Sequence, residues 1–107
     1  MHYAVAFSKR AEKQLDNLYV YIADNSGVAR AEDFVGGIVA DCLSLETFPE
    51  RGTKRDDIHP LLRIKSYARR VTIAFSVDHD GLTVMIHGIF YGGQDFERLL
   101  HGIDSDR

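Results

Sequence analysis

A chain of 107 residues, 45% hydrophobic and 27% charged, has the length for one domain with a modest core and too little for two. Its single cysteine excludes an internal disulfide framework and a multi-cysteine zinc site, and no apolar run nears the roughly 18–20 residues that span a bilayer. The net charge of −3 is unevenly placed. Residues 51–70 carry seven cations (Arg51, Lys54, Arg55, Arg63, Lys65, Arg69, Arg70) against Asp56 and Asp57, while the rest of the chain carries six against fourteen acids. A basic stretch on an acidic body points either to a surface for an acidic partner or to a solvated loop. The N-terminus lacks the basic segment and apolar core of a signal peptide, so a soluble cytoplasmic protein with no membrane association is expected.

Tyr3, Val5 and Phe7 alternate with smaller residues, which predicts a short first strand. Ser8 is placed to cap a helix. Ala11, Leu15, Leu18 and Ile22 then recur at helical spacing, predicting an amphipathic helix over about residues 9–23. The run 24–27 (Asp-Asn-Ser-Gly) reads as a stop and turn. A second stripe (Ala31, Phe34, Val35, Ile38, Cys42, Leu45) predicts a helix over about residues 28–47, ended by Phe48-Pro49. Gly36-Gly37 lies inside it, at a cost of about 1 kcal/mol per glycine, which implies either a close approach or a bend. Two helices joined by a short turn form an antiparallel hairpin.

Residues 50–60 are polar, charged and bounded by prolines, and read as a loop. Three alternating stretches follow: Leu62 and Ile64; Val71, Ile73, Phe75 and Val77; and Leu82, Val84 and Ile86. Between the last two, residues 78–81 form a turn with Gly81 supplying positive φ. Tyr91-Gly92-Gly93 breaks the last strand, residues 94–100 suit a short helix, and 101–107 a frayed tail. The expected fold is therefore α+β, in the order β-α-α-β-β-β, one domain over residues 1–107. The helical hairpin covers one face of a small, curved, mainly antiparallel sheet. Alternation then puts Arg63, Lys65, Met85, His87 and Tyr91 on the uncovered face.

Arg63, Lys65, Arg69 and Arg70 form the leading candidate site, because cations on a rigid strand hold phosphates or carboxylates. The alternative is an edge strand defended by charge against aggregation. Catalysis of RNA cleavage needs a base, an acid and cations for developing charge, roles that Arg63, Lys65, Arg70, His87 and Tyr91 fill on paper. Tyr19, Val20 and Phe34 are apolar residues that two helices of a small domain cannot fully bury, and so mark grooves for a partner chain. The five histidines lack metal-pair spacing, so no metal is assigned, and no cofactor motif occurs. Cys42 on the apolar stripe reads as core.

Several stretches together resemble the RelE/ParE superfamily of toxins from bacterial type II toxin–antitoxin systems, the ParE branch most closely. They are Phe7-Ser8-Lys9-Arg10-Ala11 with Leu15 and Leu18, Tyr21-Ile22-Ala23, Phe48-Pro49-Glu50-Arg51-Gly52, Leu62-Arg63, Arg69-Arg70-Val71, and the block from Ile89 through Leu100. Their order and spacing carry the resemblance over roughly residues 1–100. It implies a curved sheet under an α-hairpin, and a cognate antitoxin whose disordered C-terminal segment wraps the toxin. ParE relatives poison DNA gyrase and RelE relatives cut mRNA on the ribosome, on one shared fold. Tyr91 stands where many ParE sequences have histidine, which keeps the ribonuclease alternative open; an inactive antitoxin-binding relative is a third reading. The net charge of −3 argues against binding among rRNA phosphates and against direct nucleic-acid binding, and so favours a gyrase-directed, non-catalytic toxin. The resemblance and the charge make Tyr19, Phe34, Arg63, Lys65, Arg69, Arg70 and Tyr91 the expected antitoxin- or target-binding residues.

Overall fold

The computed structural model describes residues 2–100; the expected frayed tail and His101 lie outside the described residues. Strand β1 (Ala4–Phe7) leads into helix α1 (Lys9–Ser26) through Ser8, whose extended backbone and Oγ, accepting the Ala11 N–H at 3.1 Å, cap the helix. α1 runs three residues beyond the expected end and stops at Gly27, whose φ of 95° only glycine adopts easily. α2 (Val28–Leu43) follows at once, then a 3₁₀ turn (Ser44–Glu46) that carries the apolar stripe on to Leu45. Ala11, Leu15, Leu18 and Ile22 of α1 and Ala31, Ile38, Cys42 and Leu45 of the second segment are buried, as their spacing requires. The glycine pair does not break the helix: α2 is continuous through it, and a Cβ at Gly37 would lie 2.0 Å from the Tyr67 hydroxyl. Gly37 is the residue that lets a side chain from the sheet reach the helix backbone.

The sheet has five strands in the order β1-β5-β4-β3-β2. β3 (Leu62–Tyr67), β4 (Val71–Asp78) and β5 (Thr83–Tyr91) form the expected antiparallel meander, and β1 pairs parallel to β5. A two-residue strand, β2 (Thr53–Lys54), inside the expected loop adds the far edge. At the 78–81 turn the positive φ falls on Leu82 (53°) rather than Gly81. The Asp78 carboxylate accepts the Asp80 and Gly81 N–H groups there, and a Cβ on Gly81 would come within 2.7 Å of it.

The register corrects the expected faces. Arg63 pairs with Phe75 and Lys65 with Ile73, and both of those residues belong to the core under the helices. Directly opposed residues share a face, so Arg63 and Lys65 lie on the helix-bearing face, not the uncovered one. Leu62 and Ile64 point the other way. There Leu62 joins Ala74, Phe90 and Leu100 in a second core, with Ile58, Ile64 and Phe96 packed on it. The loop after β2 and the short helix α3 (Phe96–Leu99) close that core from below.

Tyr91 is displaced from its expected face for a different reason. Phe75 pairs with Ile86 but Ala74 pairs with Gly88, so β5 carries one extra residue, His87, in a β-bulge. Before the bulge the helix-facing residues are Val84 and Ile86; after it they are Ile89 and Tyr91. An inserted residue reverses the alternation, and it swings Tyr91 up beneath the helices. Met85 and His87 remain on the opposite side with Ser76.

Candidate functional site

Tyr91, Phe34 and Arg70 converge at the tip of the helical hairpin. The last turn of α1, the start of α2, the β3–β4 turn and the end of β5 enclose a cleft of about 210 Å³ lined by Tyr21, Ile22, Asn25, Ser26, Arg30, Phe34, Arg70 and Tyr91. Tyr91 meets Phe34 edge-on at 6.1 Å and Tyr21 at 6.0 Å between ring centroids. Phe34 in turn meets Tyr67 edge-on at 5.8 Å and shares with it a broader, open cleft with Arg30 and Asp33. A ladder of four rings thus floors this end of the molecule.

The rim is cationic and strained. The three-residue β3–β4 connection (68–70) holds a turn closed by the Arg70 N–H donating to the Tyr67 carbonyl at 3.1 Å. Its central residues, Ala68 and Arg69, have φ of 52° and 59°. Both lie in the left-handed region that hairpin geometry demands and that asparagine or glycine normally fills. L-residues there cost roughly 1–2 kcal/mol each. Arg69 and Arg70 are exposed, and among the described residues neither has a carboxylate within ion-pairing distance.

Four of the other five cations of the basic stretch are turned to internal use, while Lys54 on β2 stays exposed. Lys65 Nζ pairs with the Asp41 carboxylate of α2. Arg63 donates to the Arg51 carbonyl at 3.1 Å, and Arg51 lies over the Phe48 ring and donates to Ser44 Oγ. Arg55 grips Asp57 through two hydrogen bonds of 2.9 and 2.8 Å and also pairs with Glu97 of α3. The hydrogen bonds that Arg55 donates to Asp57 and then to Glu97 raise the Arg55 pKa, and the bond from Arg55 holds Asp57 below the usual carboxylate range.

The acid–base set considered for RNA cleavage is not gathered into one place. Arg70 and Tyr91 share the hairpin-tip cleft, whereas His87 sits on the other side of the sheet, hydrogen-bonded to Ser76 Oγ at 2.7 Å. Tyr19 lines a separate groove of about 360 Å³ with Phe7, Leu15, Val35 and Val39, edged by Glu12 and Asp16. Val20 is 56% exposed on the outer surface. Burial, and secondarily the Asp41 charge, push the Cys42 thiol up to about 12, so it stays protonated and unreactive. Among the described residues no three His, Cys, Asp or Glu side chains approach as a metal-binding group, and no helix is long and apolar enough to cross a membrane.

Three cleft residues escaped sequence reasoning: Tyr21, Arg30 and Tyr67. Tyr21 lies beside the buried stripe rather than on it, so helical periodicity treats it as surface. For Tyr67 the signal was Gly37, a helix glycine that only a close approach explains.

The model of the ParE toxin of the type II toxin–antitoxin system parDE matches residues 5–96. No curated protein matches the chain. Among solved structures, a chain of the chromosomal ParDE system of Pseudomonas aeruginosa superposes with a TM-score of 0.72 at 22% identity, covering 85% of this chain and 97% of that one. A chain of the toxin–antitoxin complex RelBE2 of Mycobacterium tuberculosis gives 0.62 at 16% identity, covering 88% and 95%. At these identities the two structures establish the shared fold.

Proposed function

The chain belongs to the ParE toxin family of type II toxin–antitoxin systems, and from that membership we propose that it arrests replication by poisoning DNA gyrase and is neutralised by a cognate antitoxin. The observation that carries the choice of target is the separation of the acid–base set. RNA cleavage needs its base, acid and cations around one phosphate. Here His87 is across the sheet from Tyr91, and Lys65 is paired with Asp41. The net charge of −3 adds to this, since a site among rRNA phosphates rewards an excess of cations.

The partner surface in this reading is the hairpin-tip cleft. Its rings take an apolar side chain, and Arg69 and Arg70 take a neighbouring carboxylate, Arg70 from the cleft wall itself. The groove beside Tyr19 extends the contact along the hairpin. An extended, disordered C-terminal segment of the antitoxin fits two shallow clefts on one hairpin better than a rigid domain does.

Pulse labelling of DNA and protein in one induced culture tests the target. DNA synthesis should fall first, with filamentation, and purified toxin should trap gyrase on cleaved DNA. Protein synthesis falling first, with codon-positioned cuts in mRNA, would replace this reading by ribosome-dependent cleavage at Tyr91 and Arg70. Arrest of neither would leave an antitoxin-binding relative. Co-purification with the product of the adjacent gene tests the partner; a toxin recovered alone that gives no heat on titration with that product counts against it.

A further inference from the structure

Tyr91 reaches the cleft from the end of β5, whose outer edge is met by Ser8 and Gln14 at the start of α1 and by Gln94 beyond the strand. β1 stops at Phe7, so beyond Ile86 the outer edge of β5 has no strand beside it. Ser8 and two glutamines take its place. The Ser8 N–H donates to the Ile86 carbonyl at 2.9 Å, and Ser8 Oγ donates to the carbonyl of the bulged His87 at 3.1 Å. Gln14 Oε1 accepts the Ile89 N–H at 2.7 Å, and Gln94 Oε1 accepts the Tyr91 N–H at 3.0 Å. These are the outward-facing amides of the edge, spaced two residues apart as a missing strand would meet them. The bulge itself is packed tightly: a Cβ on Gly88 would lie 2.5 Å from the Phe90 ring and 3.4 Å from Gln14 Oε1.

We propose that Gln14, assisted by Gln94, is a positioning residue that locks the β5 bulge in the register presenting Tyr91 to the cleft. Without the bulge, a one-residue shift would turn Ile89 and Tyr91 to the far side and bring Phe90 under the helices. All three residues are large and apolar, so hydrophobic burial alone discriminates weakly between the two registers. The directional hydrogen bonds from the edge decide between them: Gln14 meets Ile89 N–H only in the bulged register. The proposal adds to the reading of the cleft as a partner surface and rests on it only for its consequence in cells.

The test uses the whole chain. Gln14→Met keeps the length of the side chain and removes the acceptor; Gln14→Glu keeps the acceptor oxygen. In the methionine variant the Ile89 amide should exchange about tenfold faster than in the parent, in line with the loss of one hydrogen bond. Nuclear Overhauser contacts between the Tyr91 and Phe34 rings should weaken, and Gln14→Glu should restore both. Gln94→Ala, in an exposed loop, repeats the test at Tyr91 N–H should the methionine variant fail to fold. Parent-like exchange and ring contacts in either foldable acceptor-less variant would overturn the proposal, as would failure of Gln14→Glu to restore them. If the ring contacts are lost but growth arrest is unchanged on induction, the positioning role stands and the cleft is not the toxin's working surface.

Discussion

Lys65 and Arg70 lie five residues apart in one basic stretch, and the fold uses them in opposite ways. Lys65 is on a strand whose register turns it toward α2, where its side chain, 13% exposed, pairs with that of Asp41, 22% exposed. Arg70 follows a left-handed turn that carries it past the edge of the helices, with no carboxylate among the described residues to hold it. Arg55 and Arg63 follow Lys65, and Arg69 follows Arg70. Charge density along a sequence therefore overstates the recognition surface. Strand register decides which cations are internal fasteners and which stay exposed.

The largest effect should come from the inward group. Lys65→Met strips a half-buried carboxylate of its counter-ion, and a loss of about 2–3 kcal/mol is expected in urea unfolding, less than for a fully buried pair because water still reaches Asp41. Asp41→Leu combined with Lys65→Met should recover most of that loss. Arg70→Glu, in contrast, should stay within about 0.5 kcal/mol of the parent while abolishing growth arrest or antitoxin binding. A Lys65→Met protein as stable as the parent would erase the distinction between the two groups.

The turn that frees the outward group can be relaxed. Ala68→Asn with Arg69→Gly supplies the residues that left-handed hairpin positions favour, and should stabilise by about 1–2 kcal/mol. Because it also removes a rim cation, toxicity should fall as the melting temperature rises. A double variant that gains stability and keeps full toxicity would limit the partner's cationic contact to Arg70.

These contrasts also explain what the sequence made legible. The two helical stripes, from Ala11 to Ile22 and from Ala31 to Leu45, could be read because one face is buried and 3.6-residue spacing leaves no other solution. The face of Arg63 could not. Alternation separates Leu62 and Ile64 from their neighbours but does not say which side is the main core, and the second core exists only because Ile58, Phe96 and Leu100 return under the sheet. The bulge left one trace, Gly88 in mid-strand, while Ile89-Phe90-Tyr91 are consecutive apolar residues that carry no alternation to betray a shift. The turn at Ala68-Arg69 left none, since neither residue is one that left-handed geometry favours.

A smaller effect should appear on acidification, in the inward group alone. Arg55 holds Asp57 below its ordinary pKa, so its folded value lies below its unfolded one. The stability linked to it is present above the unfolded value and is lost as pH falls through the folded one. The side chain of Asp57 is 65% exposed, so solvent screening keeps this contribution slight. Urea midpoints followed from pH 5 to pH 2 should decline less in Asp57→Asn than in the parent; parallel declines would mean that the Arg55 contact contributes nothing to folding.

The smallest change expected in stability is also the one that separates the two activities. Tyr91 contributes its ring to the cleft through Phe34 and Tyr21, and its backbone N–H to Gln94. Among the described residues its hydroxyl has no hydrogen-bond partner, so Tyr91→Phe removes one oxygen and leaves the packing in place. Unfolding should shift by less than about 0.5 kcal/mol. A toxin acting through the cleft as a binding surface needs the ring, and growth arrest should persist nearly in full; Tyr91→Ala, which empties that part of the cleft, should abolish it. A ribonuclease needs the oxygen as proton donor or acceptor, and loses about 10²–10⁴-fold in rate without it. Full toxicity in the phenylalanine variant beside none in the alanine variant would assign Tyr91 to recognition. Loss in both, with stability unchanged in the first, would assign it to chemistry and return the ribosome as the target.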